Sequence, residues 1–297
     1  RNIADRFMQT KGKYTYDWDV LVYYDKRSRA DAIDQLKDYF YDIYNNGHRN
    51  KDIKDAAIFA NNRKNKEIIK KLENTYESDK VKNPDNYTHR DYKKSLTKVK
   101  SVNLIANPIN VYSKEPEAFY QIIELMKNAN ESVDIHTPYF IGNDLMYSSL
   151  EEIAANVPTT LFTNSSSSGV NTVGVGDYII HEKKLRNLGV NILENEKESS
   201  YHGKAFTIDD NISAIGSFNW DMRSAYVDTE IMLVINGEDF YREVKNEFNY
   251  YEKDASILLE NGDRTNLAGK KIKKANFIKK LIAVLFVILF YPFRFLF

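Results

Sequence analysis

At 297 residues the chain has room for one large domain or two ordinary ones, and 42% hydrophobic with 28% charged residues sets it among globular proteins. Lys and Arg total 42 and Asp and Glu total 42, so the basic excess of a protein that grips long nucleic acid is missing. The absence of cysteine excludes disulfides, Cys-ligated zinc and thiol catalysis.

Residues 17–24, DWDVLVYY, form a short apolar run behind an acidic pair and predict a buried strand. Residues 29–46 place Ile33, Leu36, Phe40 and Ile43 at helical spacing, and Asn-Asn-Gly closes that helix. Residues 48–100 are polar and rich in Lys, Asn and Asp; they predict exposed helices and a connector without chemistry. Strands are then predicted at 102–108, 132–140, 159–164, 190–195, 204–210, 212–217 and 230–235. Helices are predicted at 115–130, with Pro116 in the first turn, and at 144–156, 177–189 and 238–255. Strands alternating with helices imply a layered α/β domain.

The C-terminal segment is different. Lys270, Lys271, Lys273, Lys274, Lys279 and Lys280 precede the run LIAVLFVILFYPF at 281–293. That run is too short to span a bilayer, which takes about 20 residues. A basic stretch before a short apolar, aromatic-rich one predicts a helix lying in an anionic membrane face. The competing reading is a helix docked on the protein's own core.

The chemistry is concentrated in YHGKAFTIDDNISAIGSFNW, residues 201–220. On a strand, His202 and Lys204 point to the same side. A hairpin turn near Asp210 and Asn211 returns the chain, and a tight turn at Gly216 brings Ser217 and Asn219 to the same place. An imidazole, an ammonium, a hydroxyl and a carboxamide around one point suit a phosphate.

This segment resembles the HxKxxxxDxxxxxxGSxN motif of the phospholipase D superfamily, with His202, Lys204, Asp209, Gly216, Ser217 and Asn219 filling every position. The resemblance implies a layered α-β-α fold with a mixed sheet and two homologous halves. It also implies catalysis through a phosphohistidine, with one histidine attacking phosphorus and the other serving as general acid and base. No metal or cofactor is required. On this basis His202, Lys204, Asp209 and Glu230 are the expected catalytic residues, and Lys204, Ser217 and Asn219 hold the phosphate. Glu230, in Asp228-Thr229-Glu230, corresponds to a family acid and is expected to orient His202. Arg223 and Ser224 match a DPRS pattern in which Met222 replaces proline; a structural role is expected for Arg223.

An internal repeat points to the other half. Asn2 corresponds to Asn219, Asp5 to Asp221, and Asp17-Trp18-Asp19 to Asp228-Thr229-Glu230. Asn2 is then a phosphate-site residue, and Asp19 the acid for a first-half histidine upstream of Arg1. The expectation is a chain that begins inside the first motif and is inactive alone. Within the superfamily the sequence is similar to bacterial cardiolipin synthases, especially the cardiolipin synthase C subfamily. The likeness rests on RNIAD at 1–5, DWDVLV at 17–22, Thr137-Pro138-Tyr139-Phe140, Phe162-Thr163-Asn164-Ser165, Gly189-Val190 and the motif itself. Gly203 departs from the family, which usually has alanine or a similar small residue there, and YFIGND lacks the second proline the family often has.

The resemblance implies a phosphatidyltransferase acting on anionic phospholipids at a bacterial membrane, peripheral or monotopic, on the cytoplasmic face, with no nucleic-acid partner. The alternatives are a hydrolytic phospholipase or nuclease of the same superfamily, or a non-catalytic membrane scaffold. The expected organisation is 1–47 as the rest of the first half and 48–100 as a connector. The second half occupies 101–255, and 256–297 is a membrane-associating tail. His136 has two readings, a wall of the substrate cleft or a plain strand-end residue. His48, His89 and His181 receive no role. The serine run 165–168 reads either as a cover for the substrate entrance or as a plain flexible loop.

Overall fold

The computed structural model describes residues 15–24, 31–46, 61–88, 91–109 and 113–296. It divides into two compact units, 1–37 with 97–297, and 38–96. The smaller unit contains α2 (Arg63–Lys82), which buries no side chain, as its Lys- and Asn-rich sequence requires. Helix α1 (Asp31–Asn46) straddles the division.

The larger unit is built on a mixed sheet of nine strands. In chain order they are β2 (Ser101–Ala106), β3 (Val133–His136), β5 (Thr159–Asn164), β6 (Asn191–Asn195), β8 (Ala205–Ile208), β9 (Ile212–Gly216), β11 (Ile231–Asn236), β12 (Ser256–Leu258) and β13 (Arg264–Asn266). Their order across the sheet is β13-β12-β6-β5-β3-β8-β9-β11-β2. The pairs β3–β5 and β5–β6 are parallel, and the remaining pairs are antiparallel. Two short parallel pairs stand apart: β1 (Thr15–Tyr16) on β7 (Ser200–Tyr201), and β4 (Phe140–Ile141) on β10 (Trp220–Asp221).

Strand alternation feeds two cores, one on each face. Leu161, Phe206 and Ala214 join the larger core with α3 (Glu117–Lys127), α4 (Asp144–Asn156) and α5 (Thr172–Arg186). Their neighbours Phe162, Ala205 and Ile215 face the other way, toward Val244, Phe248 and Tyr251 of α7 (Glu238–Glu252). Helices on both faces of a mixed sheet give the α-β-α layering the motif implied.

Three differences from the sequence reading matter. Residues 17–24 form no strand; the strand stops at Tyr16, and Leu21 and Tyr23 are exposed. Only Trp18 and Val20 pack against the α7 core, so the apolar run has one buried side. The helix predicted at 177–189 begins at Thr172, because Asn171 caps it by accepting from Val173 N and Gly174 N. Residues 256–266 are not part of a tail: β12 and β13 extend the sheet from β6.

Candidate active site

The site is assembled at β7 and at the turn after β9. His202 follows β7, where its N–H donates to the Tyr16 carbonyl at 2.8 Å. The β7 backbone is held by a side chain. Asn164, at the end of β5, accepts from Tyr201 N at 2.9 Å and donates to Tyr201 O at 2.7 Å, so its carboxamide acts like one more strand peptide. Lys204 is buried and reaches back, its Nζ 2.7 and 3.0 Å from the two ring nitrogens of His202. The two side chains meet, as their spacing predicts.

Gly203 between them has no room for a side chain. A Cβ there would lie 2.5 Å from Tyr201 Oη and 2.7 Å from the indole of Trp18. The glycine at this place is thus matched by an aromatic pair seated against the backbone.

The acid set against His202 is Asp17. Its Oδ2 lies 3.3 Å from His202 Nδ1. Burial opposes the Asp17 charge, yet the His202 hydrogen bond and the Lys204 charge hold this carboxyl below its ordinary range. Glu230, expected to orient His202, has other partners in the structure. Glu230 precedes β11, which lies antiparallel to β9, so its side chain reaches the turn after β9 and accepts from Ser224 Oγ at 3.0 Å. Burial pushes it up to about 7, against hydrogen bonds from Ser217 and Ser224. Asp19, the acid assigned to a first-half histidine, is exposed two residues beyond Asp17. Asn2 lies outside the described residues.

The polar rim of the site is ordered through Ser224, which accepts from Asn219 N at 3.2 Å and from Asn219 Nδ2 at 3.4 Å while donating to Glu230. One Nδ2 hydrogen of Asn219 remains for another acceptor. Ser217 Oγ is exposed and accepts from Ile231 N at 3.1 Å. Burial lowers Lys204 to about 8, against the pull of Asp17, Glu230 and Asp221. Burial likewise pushes Asp221, the cap of α6 (Met222–Tyr226), up to about 6. The cluster therefore places an imidazole and a partly desolvated ammonium together, with hydroxyl and amide groups nearby. An anionic phosphoryl group entering it would restore the charge that burial disfavours on Lys204.

Asp209 does not belong to this cluster. It sits in the turn at the opposite end of the β8–β9 hairpin, at φ 52°. Its Oδ1 accepts from Asn130 N, Glu131 N and Ser132 N at 3.0, 2.8 and 3.3 Å. Partial burial would raise its pKa, but these backbone donors hold it below the ordinary value. Asp209 thus closes the loop before β3, a structural task. Arg223 pairs with Asp228 at 2.9 Å and is about half exposed, in keeping with a structural role. His136 is buried under α7, stacked on Phe162 at 4.4 Å and Phe248 at 3.5 Å, with Nε2 2.8 Å from Glu252. It is part of the core rather than of the cleft. His48 and His89 lie outside the described residues.

A cavity of about 490 Å³ opens beside His202, walled by Tyr139, Asn164, Gly169, Val170 and the first turn of α5. Asp17 and Asn107 had no assigned role in the sequence. Asn107 donates to the carbonyls of Ser224 and Asp228 at 2.6 and 3.0 Å and so fixes the loop that carries Glu230. Its only sequence signal is its place near the end of a predicted strand. Among the described residues no group of His, Asp and Glu is arranged to hold a metal ion.

Fold and motif together define a phospholipase D-like domain, and comparison with known proteins agrees. A family profile described as "Cardiolipin synthase, PLD-like domain" matches residues 122–251. Residues 122–251 thus carry a phospholipase D-like domain. It is 28% identical over 180 residues to cardiolipin synthase C of Escherichia coli, covering 54% of this chain and 38% of that protein. It is 32% identical over 134 residues to an uncharacterized protein of Helicobacter pylori, covering 40% of this chain and 27% of that one. The chain thus spans well under half the length of these relatives. A solved phosphatidylserine synthase of Haemophilus influenzae shares the fold at TM-score 0.51 and 15% identity, over 66% of this chain and 47% of that one.

Proposed function

We propose that this chain is part of a phosphatidyltransferase of the cardiolipin synthase kind, moving a phosphatidyl group between phospholipids through a phosphohistidine. The observation that carries the reading is the Lys204–His202–Asp17 cluster beside a cavity, with Asn219 and Ser217 on the adjoining turn. A second imidazole, from a first motif of the same type, attacks phosphorus. The bond from phosphorus to the departing alcohol breaks, and His202 gives that alcohol its proton. His202 then takes the proton of the incoming alcohol, whose oxygen attacks phosphorus as the phosphorus–nitrogen bond breaks. Lys204 and Asn219 hold the phosphoryl oxygens while charge redistributes. Asp17 fixes the imidazole and steadies its cation.

The acid from the 15–24 segment serves the second motif's histidine, so the pairing crosses between halves. By the same crossing Glu230 is left to the first motif's histidine, whose cation would favour the carboxylate charge that burial opposes. The test is to give the full-length protein phosphatidylglycerol labelled in its phosphatidyl portion. Samples quenched in denaturant at alkaline pH should contain a labelled phospho-enzyme that is lost on acidification, and the lipid product should be cardiolipin. Phosphatidic acid as the sole product would move the reading to a hydrolase, and unchanged labelling in His202→Ala and Lys204→Met would remove it.

A further inference from the structure

The C-terminal apolar run is only half absorbed by the fold. Helix α8 (Phe277–Leu289) packs on α5 and buries Ala283 and Val287. The approach is close: a Cβ on Gly176 would lie 2.3 Å from the Ala283 carbonyl oxygen, so a side chain at 176 would part the helices. Arg294, just beyond α8, pairs with Asp177 through Nη2 at 2.9 Å. Burial opposes the Asp177 charge, but Arg294 and His181 hold its carboxyl below the ordinary range. One side of α8 is therefore fastened to the domain. The opposite side exposes Ile278, Leu281, Ile282, Leu285, Ile288 and Leu289, each between 46% and 73% exposed. The sequence has no polar residue from 281 to 290. An apolar surface of this kind marks an interaction site.

Two further observations say what covers it. The segment 270–280 holds six lysines and no acid, so the approach to α8 is cationic. A second cavity, of about 340 Å³, lies between α8 and the serine loop, lined by Ser166, Ser167, Lys279, Ile282 and Ala283. It shares Gly169, Val170, Thr172, Val175 and Ser200 with the cavity that ends at His202. The two spaces adjoin at these shared residues, one lined by α8 and the other by His202.

We infer that the outer face of α8 lies in an anionic bilayer leaflet, and that a phospholipid enters sideways between α8 and residues 166–170 to bring its phosphate to His202. This rests on the phospholipid reading above. The 13 residues of α8 extend about 20 Å against a hydrocarbon core of about 30 Å, so the helix lies along the leaflet and does not cross it. Among the described residues no helix is long and apolar enough to cross a membrane. The lysines attract the anionic surface, the apolar face enters it, and the clamp on Gly176 and Asp177 holds the passage at the lipid boundary.

The chain has no cysteine, so single cysteines at Ser166, Leu285 and Tyr120 can each carry an environment-sensitive fluorophore. Vesicles of phosphatidylcholine with phosphatidylglycerol should shift the probes at 285 and 166 to the blue and leave the one at 120 unchanged; phosphatidylcholine alone should shift none. A shift at 285 without one at 166 overturns the passage. Equal shifts on both vesicles, or none at either site, overturn the inference. So does sedimentation of a lipid-free dimer that already shields the probe at 285. Ser166→Trp in the full-length protein should slow turnover of vesicle phosphatidylglycerol about tenfold and spare a short-chain, monomeric phosphatidylglycerol. Equal slowing of both overturns the passage. If the unaltered protein turns over neither lipid while the probes still shift, it is the catalytic reading that fails.

Discussion

The two ends of the β8–β9 hairpin carry residues of one motif and do different work. At one end His202, Lys204, Ser217 and Asn219 gather beside a cavity, with buried charge and elevated carboxyl pKa values nearby. At the other end Asp209 spends its carboxylate on three backbone N–H groups of the loop before β3. Motif spacing treats these residues alike. The hairpin separates them, because a strand pair that brings 202–204 beside 216–219 must send its turn the other way. A motif residue can thus be fixed by the fold that the chemistry needs and remain apart from the chemistry.

The largest test of this division is His202→Ala, expected to lower turnover by the full-length protein about 10²–10⁴-fold without lowering its unfolding temperature. If Asp209→Ala cost as much turnover per folded molecule, the division would be wrong. Next comes the pH dependence at the chemical end. Folding raises Glu230 from 4.5 to about 7 and Asp221 from 3.8 to about 6, so the folded state holds these protons more tightly than the unfolded one. Stability should fall as pH rises from about 4.5 to about 7, by on the order of 3 kcal/mol for Glu230. Glu230→Gln should flatten that part of a urea-denaturation profile, and a profile rising over the same range in both proteins would contradict it.

A smaller effect on turnover is expected from Asp17→Asn, because the carboxylate acts through the imidazole. Its folded-state pKa is depressed, so its stabilising contribution is present above about pH 3.8 and lost on further acidification. The variant should show a weaker loss of stability below that pH. The smallest effect belongs to the structural end. Asp209→Ala should cost about 1–2 kcal/mol in chemical denaturation and leave lipid turnover per folded molecule unchanged. Asp209→Asn should cost less, since asparagine tolerates positive φ and keeps one acceptor. Equal losses for the two would mean that the backbone hydrogen bonds contribute little.

Much of this was legible in the sequence. The strands 159–164 and 212–217 and the helix 144–156 came from local periodicity, and the structure has them within a residue or so. The motif placed His202 with Lys204 because two residues on an extended chain share a side. Tertiary packing fixed what local pattern left open. Residues 17–24 carry a strand-like pattern, but among the described residues the ladder with β7 ends at Tyr16.

The sequence by itself determined the alternation of strands and helices, the polar cluster at 202–219 and the apolar, lysine-led C-terminal helix. All three depend on side chains close in sequence, whose geometry is set by the strand and helix repeats. The tertiary structure decided which acid meets His202, since Asp17 lies 185 residues away and reaches it only through the β1–β7 pair. It also decided which face of α8 stays exposed. Leu285 and Val287 are equally apolar, and only the close crossing at Gly176 buries one and leaves the other outside.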